Sequence, residues 1–178
     1  MTIYRLGNDF AYTDLTIKTK EDVLRFMNYK GQPIIEEWNT DVFALSNDRL
    51  QKGKSDSFNA RCYGSMLVVS SYYQPKLDLL LPSRLQCLPV KIDGVKGEFI
   101  FVNILGTLPA INFDGLNFNQ SMQMMRGNEF RFHEHVTAGQ ILFRDMKVNS
   151  CFCSDVFVNF CHLEGMVGLK FDEAGPMR

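Results

Sequence analysis

The stretch Phe152-Cys153-Ser154-Asp155-Val156-Phe157-Val158-Asn159-Phe160-Cys161-His162-Leu163-Glu164-Gly165-Met166-Val167-Gly168-Leu169-Lys170-Phe171 changes its residue pattern twice. Ser154 and Asp155 carry side-chain oxygens that can satisfy the orphan N–H groups at a helix start. The apolar residues Val156, Phe157, Phe160, Cys161 and Leu163 then recur at helical spacing. Gly165 suits the left-handed position just past a helix end, where a Cβ would clash. Gly168 to Phe171 reads as a strand returning beside the one that ends at Phe152. The unit is strand, serine-capped helix, strand. Phe157, Phe160 and Phe171 are expected in the core, and Ser154, Gly165 and Gly168 serve as structural punctuation.

A quieter copy lies upstream, in Met66 to Leu81 followed by Leu88 to Ile92. Ser71 and Gln74 have capping-box spacing, and Pro75 falls early enough in the helix that its missing N–H breaks no internal bond. Several segments then follow in a fixed order: Val69-Ser70 opening a helix, Leu88-Pro89-Val90, Gly97 to Ile104, Ile141 to Arg144, Ser154 to Phe157 and Gly165 to Phe171. This ordered series resembles the bacterial polymorphic-toxin immunity protein family numbered eleven, formerly catalogued as a domain of unknown function. The likeness covers roughly residues 64 to 174, with Tyr4-Arg5-Leu6 the one further match near the start. What the resemblance implies is a protein that protects its maker by binding a toxin.

With 178 residues and 46% hydrophobic content, the chain is most simply one domain spanning residues 1–178. Its 15 Phe point to an aromatic-rich core. The formal net charge is −1, and basic and acidic residues balance in both the first sixty positions and the remainder. No basic stripe is present to release phosphate counterions, which disfavours nucleic acid as a partner. The first residues lack the basic and apolar regions of a signal peptide, and no apolar run approaches a membrane span, so neither secretion nor membrane insertion is expected. The 5 Cys are odd in number and scattered among apolar neighbours, which fits a reducing cytoplasm.

Along the chain, residues 2–6 read as a strand, and Thr19 can cap a helix from Lys20 to Tyr29 with Val23, Phe26 and Met27 on one face. Gly31 and Pro33 stop that helix. Ile34 to Trp38 and Asp41 to Leu45 read as strands, the first an edge because of Glu36-Glu37. Residues 46–60 are polar and glycine-bearing and read as a flexible loop. The strand from Phe99 to Ile104 has two apolar faces and so a central place, paired antiparallel with Val90-Lys91-Ile92 through a turn at Gly94 and Gly97. A polar, Met-bearing segment covers 119–127. Phe130 to His135 and Gln140 to Arg144 read as the last strands before the C-terminal unit. The predicted class is α+β, a strand-rich mixed or antiparallel sheet with a few short helices packed on it.

Chemistry-bearing patterns are sparse. Gly53-Lys54-Ser55 hints at a phosphate loop, but Asp48 stands where the motif needs glycine, and a solvated turn is the better reading. His133-Glu134-His135 would place two imidazoles on one strand face, short of the ligand count of a metal site. Cys151 and Cys153 share a strand face as small hydrophobes. Trp38, among Glu36, Glu37 and Asp41, is either a binding anchor or a half-buried packing residue.

The function that the resemblance implies is that of an immunity protein, an antitoxin acting as toxin inhibitor in a polymorphic toxin system. It binds a cognate toxin domain by protein–protein interaction in the cytoplasm, with no catalytic residues, metal or cofactor of its own. Glu36, Glu37, Trp38 and Asp41 are its partner-binding residues, and homo-oligomerisation is left open. The alternative is a small hydrolase that reverses a toxin's modification, using His133, His135 or Cys161.

Overall fold

The computed structural model describes residues 1–175. In chain order the elements are β1 (Ile3–Asn8), β2 (Leu15–Ile17), α1 (Lys20–Asn28), β3 (Phe43–Leu45), β4 (Ala60–Tyr63), β5 (Met66–Ser70), α2 (Gln74–Leu80), β6 (Leu85–Val90), β7 (Ile92–Asp93) and β8 (Phe99–Ile104). They continue with α3 (Phe118–Gly127), α4 (Glu134–Thr137), β9 (Leu142–Arg144), β10 (Cys151–Ser154), α5 (Asp155–Leu163) and β11 (Leu169–Glu173). The strands form three sheets, ordered β4-β5-β8-β6, β11-β1-β10-β9 and β2-β3-β7. All pairings are antiparallel except β3 with β7, and the class is α+β as expected.

The two four-stranded sheets are built to one plan. In the first, the hairpin β4-β5 leads through α2 to β6, and β8 lies between β5 and β6, antiparallel to both. In the second, the hairpin β9-β10 leads through α5 to β11, and β1 lies between β10 and β11, antiparallel to both. Residue partners agree as well. Val69 pairs with Ile100 and Cys153 with Tyr4; Leu85 pairs with Ile104 and Leu169 with Asn8. From β5 through β6 each residue has its counterpart 84 positions later, Ser70 matching Ser154, Leu77 matching Cys161 and Leu85 matching Leu169. Tyr73 and Phe157, and Leu77 and Cys161, are all buried in one cluster shared by the two units.

One expectation is corrected here: β11 does not lie beside β10. The N-terminal strand takes that place, because it supplies the second unit with the strand that β8 supplies to the first. The central position of β8 is as expected, with all six residues buried and Val90 opposite Phe99.

The ends of α5 separate two devices. After the helix, Gly165 adopts φ +66° while Met166 N–H bonds to Cys161 O (2.9 Å) and Gly165 N–H to His162 O (3.2 Å), a Schellman ending. Ser154 stands at the N-cap position, but its hydroxyl makes no cap bond and is buried without a partner among the described residues. Gly168 has φ +111°, and a Cβ there would overlap the Ala60 carbonyl oxygen. Phe157 is fully buried, whereas Phe160 and Phe171 lie at the rim of the cluster and are half-buried, less enclosed than expected.

Other differences have local causes. The turn before α2 is capped by Ser70 rather than Ser71, its Oγ accepting from Tyr72 N. Met27 is exposed while Val23 and Phe26 face inward. Phe130 to His135 is not a strand: Phe132 makes one bridge to Ile111, and His133 then precedes the short helix α4. The Met-bearing segment is the helix α3, held by a capping box between Asn117 and Gln120. Residues 46–60, read as a flexible loop, are tied to the 9–14 turn through Ser55 N–H to Ala11 O (2.9 Å) and Thr13 N–H to Ser55 O (2.9 Å).

Candidate partner-binding surface

Around Glu36 to Asp41 the outer face of the first sheet is covered by α1 and the segment that follows it. Thr19 starts α1, its Oγ1 accepting from Asp22 N–H at 3.0 Å. The helix turns Phe26 inward, where its ring meets those of Tyr29 (5.2 Å), Trp38 (5.9 Å), Phe43 (5.6 Å) and Phe101 (5.3 Å). Edge-to-face contacts of this kind add to plain apolar burial. Gly31, at φ +84°, lets the chain leave α1 against the backbone of Gly106, whose N–H bonds to Gly31 O (2.6 Å).

The next segment was predicted to be an edge strand, Ile34 to Trp38, and it is none. It lies along β6, but side chains make the bonds that a ladder would make. Gln86 accepts from Ile34 N–H and donates to Ile34 O, both at 2.9 Å, while Asn103 donates to Gln32 O (2.9 Å). Trp38 Nε1–H donates to Pro89 O (2.6 Å), and its ring stacks on Phe101 at 5.5 Å. Pro33 has no N–H to give a ladder, and the Gln86 amide reproduces one rung of it. Trp38 is thus the packing residue that pins the segment to the sheet.

Pinning Ile34 inward turns Ile35 outward, to 93% exposure. Glu36 follows, accepting from Tyr29 O–H at 2.8 Å with Arg25 Nε 4.0 Å away, and Glu37 is exposed with no ion-pair partner among the described residues. Burial first, and then Glu36, push the Tyr29 hydroxyl well above its ordinary pKa, so it remains a donor. Glu36, Glu37, Arg25, Asn28, Tyr29 and Gln32 line a cleft of about 490 Å³. Asp41 belongs to another group: Lys18 bridges it (2.8 Å) and Asp93 (2.7 Å), and the bonds to Asp41 and Asp93 raise the lysine pKa. Glu36, Glu37 and Trp38 are therefore adjacent on one pinned segment, and Asp41 is held apart. Ile35, Arg25 and Tyr29 were missed. The Ile34-Ile35 pair carried the signal for Ile35, since consecutive residues in an extended segment point opposite ways.

The remaining candidates are placed elsewhere. His133 and His135 flank the start of α4 with ring centroids 5.6 Å apart, and among the described residues no group of three potential ligands gathers to hold a metal ion. Lys54 of the Gly53-Lys54-Ser55 turn reaches Asp14 (3.5 Å), and no helix follows it. Cys62, Cys151, Cys153 and Cys161 are buried in the shared cluster, and burial raises every one of their thiol pKa values. A scan of protein-family models finds none that matches this chain, and a search of curated proteins finds no match either.

Proposed function

We propose that the protein is an immunity protein that binds a cognate toxin domain, meeting it with the face around Ile35, Glu36 and Glu37. The resemblance of residues 64–174 to that immunity family supports the reading. The observation that carries it is the exposure of Ile35 at 93% on a segment fixed by Gln86, Asn103 and Trp38. An apolar side chain held in solvent on a prearranged backbone loses little conformational freedom on binding, which is how a few interface residues come to dominate affinity. The carboxylates beside it match a partner whose apolar pocket is edged by basic groups. Trp38 acts by positioning the segment, and Asp41 by its bridge through Lys18 to Asp93.

The test is a calorimetric titration with a catalytically inactive form of the toxin domain. The wild-type chain should form a stoichiometric complex. Ile35→Ala should weaken it roughly 5- to 30-fold, the effect of losing a contact worth about 1–2 kcal/mol. Reversing Glu36 and Glu37 to Lys should mainly slow association. Protection of cells without any complex would overturn the reading in favour of a small hydrolase that undoes the toxin's modification.

A further inference from the structure

The outer faces of the two sheets differ at matching positions. In the first, Phe101 is covered by Trp38, and Asn103 donates to Gln32 O (2.9 Å). In the second, the register puts Arg5 and Gly7 of β1 at those places, and beside them lies a cleft of about 600 Å³. That volume is within the usual range of small-molecule sites. Arg5 is fixed by uncharged partners: Nε–H donates to Ser150 Oγ (3.0 Å), Nη1–H to Met125 O (3.5 Å), and the guanidinium lies 5.9 Å from the centroid of the Phe130 ring. Its cross-strand neighbour Asp172 pairs instead with Lys170 at 2.7 Å, and no carboxylate among the described residues lies within ion-pair distance of Arg5.

The other lining groups are both donors and acceptors. Arg126, exposed in the last turn of α3, and Asn149 have no protein acceptor among the described residues. Asn128, in the left-handed conformation at φ 58°, donates to Glu173 O (2.7 Å) and has a buried Oδ1 that no donor among the described residues reaches. Asp172 and Glu173 are the two carboxylates of the lining.

We propose that this cleft binds a small organic anion bearing a carboxylate or phosphate, with Arg5 and Arg126 as its cationic contacts. A guanidinium held in place by neutral groups keeps its charge uncompensated and its Nη2–H donors free for an oxyanion. Asp172 and Glu173, in the same lining, disfavour polyanions such as nucleic acid, so the ligand is small. This proposal is independent of toxin binding.

The test is calorimetric titration of the full chain with inorganic phosphate and, separately, with succinate, at constant ionic strength in chloride. At least one of the two should bind, phosphate alone marking a phosphate-bearing ligand and succinate alone a carboxylate. Arg126→Ala, at an exposed position where folding is unaffected, should weaken binding about tenfold or more, as expected for a lost hydrogen bond to a charged group, and Arg126→Lys should restore part of it. Arg5→Lys, which keeps the charge without the fork, should also weaken binding. Absence of heat with both anions, or an affinity that neither Arg126→Ala nor Arg5→Lys changes, would overturn the proposal.

Discussion

Thr19 and Ser154 stand at the same position relative to their helices, and their hydroxyls have different surroundings. Thr19 Oγ1 accepts from Asp22 N–H (3.0 Å) and donates to Asp22 Oδ2 (2.7 Å), whereas Ser154 Oγ is buried with no partner among the described residues. Thr19→Ala should therefore lower stability by about 1 kcal/mol, and Ser154→Ala should leave it unchanged or raise it, because a buried unpaired hydroxyl is itself unfavourable. Urea denaturation of the two variants checks the contrast. The thiols carry a pH dependence. Their ordinary pKa is 9.0, and burial holds Cys151 and Cys161 up at about 12. Between those values the folded state keeps protons that the unfolded state releases. The stability they contribute is complete below pH 9 and is lost as pH rises toward 12, by about 1.4 kcal/mol per pH unit for each thiol. Melting temperatures at neutral and strongly alkaline pH should show this decline, and Cys161→Val should make it shallower.

Among the elements, the segment from Gln32 to Trp38 most clearly trades regular structure for side-chain attachment. Trp38→Ala removes a ring stacked on Phe101 and a bond to Pro89 O, and should destabilise by about 2 kcal/mol, less than the 3–5 kcal/mol of a fully buried aromatic. Trp38→Phe, which keeps the stacking, should lose about 1 kcal/mol. Hydrogen exchange at the Ile34 amide should speed up in the first variant far more than in the second. That segment also marks where sequence reading ends. Helices α1 and α5 and strand β8 were legible, since caps, glycine stops and local periodicity define them within their own residues. The attachment of Ile34 was not, because its partner Gln86 is 52 positions away. Phe130 to His135 alternates like a strand, yet Phe132 alone pairs, with Ile111. Of the candidate surface, the carboxylates and Trp38 were legible as residue types. The exposure of Ile35 and the inward turn of Trp38 depended on contacts made across the fold. The cleft beside Arg5 was invisible for the same reason, its lining drawn from both ends of the chain.

At the scale of the molecule, the second unit is continuous in space and interrupted in sequence, since its β1 comes from the start of the chain and β9 to β11 from the end. Ala174 N–H bonds to Ile3 O (2.8 Å), so β11 ends where β1 begins, and the two lie together like the arms of a hairpin. The end of β11 and the start of β1 are thus neighbours in space. A circular permutant that joins the last residue to the first through a short linker and begins after Gly115 would run β9, β10, α5, β11, β1 and then β4, β5, α2, β6, β8, each unit unbroken. Gly115 is exposed, at φ +73°, with nothing within 4 Å of a Cβ built there, so the new ends fall in an open surface turn and cost one turn bond, Leu116 N–H to Phe113 O (3.1 Å). This permutant should fold with a melting temperature within about 5 °C of the parent, a shift that corresponds to about 1–2 kcal/mol in a domain of this size. Deleting residues 1–8 should abolish folding, because it leaves β10 and β11 facing each other across an empty strand position. In that rearranged order the molecule would be a tandem duplicate, with the present amino terminus inside its first copy and the seam between β1 and β4.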